Sequence, residues 1–199
     1  MKSRTMAILL ALALLPASYM LGRVIFTEFT GTEMAAGPPS DFGTVSCPGG
    51  QPTGLWPTKP GEFPMGPPCT PGSRVHIRGM KLSYYVQSAD PRITGAQDLV
   101  INGNFDGWRA ATVGGGSGHM WGTIRLELQN GGVKTGEVWE GTVNGTRTVS
   151  GDTVQSTFHD VAHGSGGRLE GLQADWHVTL NPISGLGECQ GRILDPGGK

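Results

Sequence analysis

Two glutamates, three tryptophans and a pair of histidines are the side chains of this 199-residue chain whose types and spacing suggest chemistry. Between Arg168 and Leu180, alternation puts Glu170, Leu172, Ala174, Trp176, Val178 and Leu180 on one face. Glu170 therefore ends an apolar row. A carboxyl turned into an apolar enclosure loses hydration, its pKa rises, and it becomes suited to acid–base work. Glu140, next to Trp139, is the second catalytic candidate. The plainer reading of Glu170, a strand-end carboxyl facing solvent or an arginine, is preferred, because one carboxyl without a located partner is weak evidence. Trp121, Trp139 and Trp176 recur beside glycines. They are candidate ligand-binding residues, with Glu170 or Glu140 as a polar anchor, although most tryptophans of small barrels fill the core.

His159 and His163 flank Asp160 at a spacing that chelates zinc on a helix. The region alternates like a strand, where four residues span roughly 13 Å, so this pair does not share an ion and no metal site is expected. His119 and His177 are the imidazoles that would have to join. The glycine clusters Gly114-Gly115-Gly116 and Gly164-Ser165-Gly166-Gly167 lack the lysine and hydroxyl of a phosphate-binding loop, and they read as hairpin tips. No cofactor is expected. Three cysteines, Cys47, Cys69 and Cys189, admit one disulfide and a leftover inert thiol. Cys47–Cys69 and Cys69–Cys189 are both open.

The net charge of -1 and the low share of charged residues, 16%, argue against nucleic acid as a partner. Lys2 and Arg4 followed by the apolar run Met6 to Leu15 and then Pro16-Ala17-Ser18 read as an export signal over residues 1–23, with a retained membrane anchor as the alternative. Export to the periplasm, the extracellular space or the cell surface follows. Membrane contact is expected only through an uncleaved leader. Residues 24–72 hold ten of the 14 prolines, which fix φ and withhold a donor, so an irregular Pro/Gly-rich arm is expected there. Leu55, Trp56, Phe63 and Met65 would lay it on the domain that follows.

Residues 73–199 change to a period of two. His76, Arg78, Met80, Leu82, Tyr84 and Val86 share one face, then Ile93, Leu99, Ile101 and Phe105, then Met120, Ile124, Leu126 and Leu128. Ala89-Asp90-Pro91-Arg92, Asn130-Gly131-Gly132 and Asn144-Gly145 read as turns. The phrases Gly118-His119-Met120-Trp121-Gly122, Gly136-Glu137-Val138-Trp139-Glu140-Gly141 and Gly167-Arg168-Leu169-Glu170-Gly171 place glycine inside strands. A strand glycine sacrifices roughly 0.5–1 kcal/mol, which implies a bend, a bulge or a close backbone approach. About 7–8 short strands joined by tight turns predict an all-β fold, a small antiparallel up-and-down barrel, with a sandwich as the alternative.

The run Ser88-Ala89-Asp90-Pro91-Arg92-Ile93-Thr94-Gly95, the Trp121-Gly122 and Trp139-Glu140-Gly141-Thr142 phrases and the stretch His163 to Leu172 resemble exported bacterial proteins of the allene oxide cyclase barrel-like group. The resemblance covers Val75 to Leu180. It implies an eight-stranded antiparallel barrel with an interior cavity. Plant members of that barrel cyclise a fatty-acid epoxide without a cofactor, and many bacterial relatives have no established function. The expected function is a non-enzymatic binding or cell-surface module for an apolar small molecule or a protein partner. The alternative is a cofactor-free isomerase or cyclase acting on a lipid-like substrate.

Overall fold

The computed structural model describes residues 24–108 and 116–197; the leader expected over 1–23 lies outside the described residues. The strands are β1 (Ile25–Ala35), β2 (Thr44–Ser46), β3 (Val75–Ser88), β4 (Gly95–Phe105), β5 (Gly118–Asn130), β6 (Val133–Ser150), β7 (Thr153–Ser165), β8 (Gln173–Asn181) and β9 (Leu186–Asp195). Every pairing is antiparallel, and the order β1-β9-β8-β7-β6-β5-β4-β3-β2 is closed by a further β1–β3 pairing. The expected barrel is therefore present. β1 and β2 share one edge of β3, β1 along Tyr84–Ser88 and β2 along His76–Arg78.

The strand glycines explain how so narrow a ring closes. Gly122 on β5 and Gly141 on β6 both belong to the inward-facing series, among Met120, Ile124, Trp139 and Val143. A methyl group on Gly141 would overlap the carbonyl oxygen of Val161 and come within 2.6 Å of Ala162 Cα; one on Gly122 would overlap the carbonyl of Val100. The neighbouring backbone occupies the space of the missing side chain, so the wall can curl inward there. Large rings take up the room left over: Trp176 faces Gly191 across the β8–β9 ladder, and Trp139 faces Gly164 across β6–β7.

Three local readings change. The inward series of β3 runs through Val75 and Ile77 and then Met80, Tyr84 and Val86, because the register shifts at a bulge between Ile77 and Met80. Gly79 supplies the left-handed backbone at that bulge (φ 74°), which turns His76 and Arg78 outward. Asn144-Gly145 is not a turn but mid-strand in β6, where Gly145 makes room for Phe158 on β7. Residues 25–35, expected in the irregular arm, are a wall strand. The inward positions of β1 are Phe29, Gly31 and Glu33, so the strand lacks the apolar alternation that marks the others. Asn130-Gly131-Gly132 is a hairpin tip as expected, with positive φ at both glycines.

One end of the barrel is packed solid. The 3₁₀ turns Pro91–Ile93 and Gly167–Leu169 plug it with Ile93 and Leu169, and the indole nitrogen of Trp139 donates to the carbonyl of Arg92 at 2.6 Å. Outside the plug, Glu137 accepts from the Arg168 guanidinium, which holds its carboxyl down at about 2. At the other end lies the proline-rich arm. Trp56 is buried against Phe42 and Trp108, whereas Phe63 and Met65 remain exposed. Cys47 and Cys69 form the disulfide, which clips the arm into a loop and is compatible with an oxidising, exported location. Cys189 is free and buried on the inward face of β9.

Gly141→Val is expected to destabilise the fold by about 3 kcal/mol or more, and Thr142→Val on the outer face by about 0.5 kcal/mol or less. Urea titration followed by tryptophan fluorescence measures both.

Candidate functional site

The arm end of the barrel interior is a cavity of about 230 Å³, lined from the wall by Met80, Leu82, Tyr84, Leu99, Ile101, Met120, Arg147, Phe158 and Leu180. Its rim is Ala35 at the end of β1, Gly37, Pro38 and Pro39 beyond it, and Pro182–Gly185 between β8 and β9. The wall residues are apolar except for two. Arg147 is buried on β6; its Nε donates to Ser156 Oγ at 3.2 Å, and its guanidinium lies over the Phe105 ring. Burial lowers Arg147 to about 10, which still leaves it charged at neutral pH. The phenol of Tyr84 is raised to about 12, by burial first and by the nearby Glu33 carboxylate second. A larger groove of about 690 Å³ runs outside the wall past Thr32, Met34, Tyr85 and Leu186. It is open and lined by threonine and amide side chains as well, so the interior cavity is the better enclosure.

Beneath that cavity the core turns polar. Glu33 on β1, Gln97 on β4 and Asp160 on β7 all face inward and are almost wholly buried, with the Cys189 thiol beside them. The Gln97 amide donates weakly to Glu33 Oε1, at 3.5 Å. Gln97 Oε1 and Asp160 Oδ1 have no hydrogen-bond partner among the described residues. Burial raises the Glu33 carboxyl to about 7, only partly offset by Gln97. Asp160 is raised well above the ordinary carboxyl range, first by burial and then by the charge of Glu33, while the Trp176 indole acts in the opposite sense. The same burial, with both acids nearby, pushes the Cys189 thiol up to about 12 and leaves it unreactive.

The residues singled out from the sequence fall mostly elsewhere. Glu140 is exposed on the outer wall and pairs with Arg125 at 3.3 Å. Glu170 follows the Gly167–Leu169 turn, outside β8, and accepts from the Gly166 amide at 2.9 Å. Neither lines the cavity. The alternation that carried Glu170 inward stops at Gln173, where β8 begins. Trp139 and Trp176 are fully buried packing groups, and Trp121 is half-buried outside, stacked on His119 and covered by the Arg78 guanidinium. The polar interior was missed for a physical reason. Glu33 sits in a strand with little apolar patterning, and Asp160 stands between two histidines whose spacing draws attention first. The inward phase Val154, Ser156, Phe158, Asp160, Ala162 was the signal that would have exposed it. Among the described residues, no group of three or more His, Cys, Asp or Glu side chains is placed to hold a metal ion.

No family model matches the chain, and no curated protein or solved structure matches it.

Because the Glu33 carboxyl titrates at about 7 in the folded chain and near 4.5 when unfolded, the unfolded chain loses this proton first. Stability is therefore full below about pH 4.5 and falls as the pH rises to about 7, by roughly 3 kcal/mol in all. Asp160 adds a fall of the same sign. Glu33→Gln is expected to flatten most of that slope and to raise stability at pH 8, as read by urea midpoints across pH 4–8.

Proposed function

We propose that the chain is an exported binding module whose open barrel end holds a small apolar ligand. The single observation that carries this reading is the apolar cavity of about 230 Å³ with one buried cation, Arg147, on its wall. Ligand sites are typically concave and apolar, with a few polar groups that fix orientation. Arg147 and Tyr84 supply two such groups, both suited to an acceptor on the ligand, so an apolar body carrying an anionic or carbonyl end fits best. The prolines of the rim, Pro38, Pro39 and Pro182, limit how far the mouth can deform, which lowers the ordering cost of binding.

A cofactor-free isomerase or cyclase acting on a lipid-like substrate is the second reading, and one observation favours it: Glu33 combines burial with a carboxyl held near neutrality. Under that reading Glu33 takes the role expected of Glu170 or Glu140. Turnover would be lost in Glu33→Gln and kept in Glu140→Gln and Glu170→Gln. A binder keeps its ligand affinity in all three.

The test of binding uses 1-anilinonaphthalene-8-sulfonate, an apolar ring system with an anionic end. The expected result is saturable fluorescence enhancement at one equivalent. Leu82→Trp, which fills the mouth from a half-buried position, should abolish it. Arg147→Met should weaken it by about tenfold, the loss of one charge-assisted hydrogen bond. Unsaturable binding, or binding indifferent to both substitutions, would remove the cavity from consideration.

A further inference from the structure

The outer wall carries a feature that strand-by-strand reading does not reveal. His159 on β7 and His177 on β8 are directly paired in register, and their rings stack nearly parallel, 13° apart, with centroids 4.5 Å apart. Both side chains are exposed, and neither is bonded to a carboxylate or a guanidinium among the described residues. The nearest acid on that face of β8, Asp175, is already engaged by Arg192 at 2.8 Å. Two imidazoles are thus held side by side on adjacent central strands, with the polar side chains of Asn144 and Gln190 next to them across the flanking ladders.

We propose that His159 and His177 form a two-histidine chelate for a divalent transition-metal ion on the barrel's outer face. The chemistry follows from the donors. Neutral imidazole nitrogen is a borderline ligand that binds such ions at roughly 2.0–2.1 Å, which asks the two donor nitrogens to approach to about 3 Å. Exposed rings on opposed strand positions reach that separation by side-chain rotation alone, with the backbone fixed by ladders on both sides. Water completes the coordination sphere. With only two nitrogen donors and no geometric cage, the order of intrinsic affinities decides the ion, and Cu²⁺ stands first. His163 is excluded, because it lies four residues along the same strand, opposite Gln173. The site is independent of the interior cavity and of the binding proposed there.

The experiment is Cu²⁺ titration of the full chain, read by electron paramagnetic resonance and calorimetry, with His159→Gln, His177→Gln and His163→Gln variants. All three substitutions are on the exposed wall, and circular dichroism checks that each variant is folded. One equivalent of Cu²⁺ with hyperfine structure from two nitrogens is expected. Each of His159→Gln and His177→Gln should weaken binding by about 100-fold, since the second donor acts intramolecularly. His163→Gln should leave the affinity and the spectrum unchanged. A wild-type spectrum without two nitrogen donors, or an affinity equal in wild type and the His159→Gln/His177→Gln double variant, would overturn the proposal.

Discussion

The fold depends on bare backbone at inward positions of the wall. A ring this narrow brings the carbonyls of one strand into the volume where the next strand's Cβ would stand, as Val161 does at Gly141 and Val100 at Gly122. Each such glycine loses more conformational entropy on folding than another residue would, and it brings no side chain to the packing. What it gains is curvature, and at some inward glycines a large ring stands opposite the bare backbone. Trp176 against Gly191 and Trp139 against Gly164 are two cases of the same exchange. Size is thus distributed unevenly around the wall, with indoles where the neighbouring strand is bare.

Closure has a chemical consequence at the seam. β1 is the strand that joins β9 to β3, and its inward residue Glu33 is opposite Val86 on one side and Gly187 on the other. Completing the ring therefore drives a carboxyl into the core, near Asp160 and Gln97. An open sheet would leave it in water. The result is a layered interior: a solid plug of aromatic and aliphatic groups at one end, an acidic layer in the middle, and an apolar cavity with a cation at the arm end. The acids and the cation thus occupy adjacent layers, and Tyr84 is influenced by both Glu33 and Arg147. In the binding role proposed above, an anionic ligand end would be drawn toward Arg147.

Much of this was legible in the residues. The period-two stretches gave the class, Asn130-Gly131-Gly132 gave a hairpin, and the glycine phrases announced backbone contact before any neighbour was known. The failures share a cause. Alternation detects strands whose inward face is oily, and β1 shows Phe29, Gly31 and Glu33 there instead. Its mixture of aromatic and β-branched residues without proline, from Ile25 to Thr32, was the weaker clue. The alternation of β8 does not extend back to Glu170, because the strand begins at Gln173, and the buried acids are instead Glu33 and Asp160. His177 met His159 only through cross-strand register, which spacing along one strand does not encode.

Nuclear Overhauser contacts across the seam test the closed ring most directly. The account predicts cross-strand backbone contacts between Thr32 and Gln87 and between Met34 and Tyr85, with amides there as protected from exchange as those of the β5–β6 ladder. Absence of those contacts together with rapid exchange along Gly31–Ala35 would mean an open sheet, with Glu33 in solvent and no enclosed cavity.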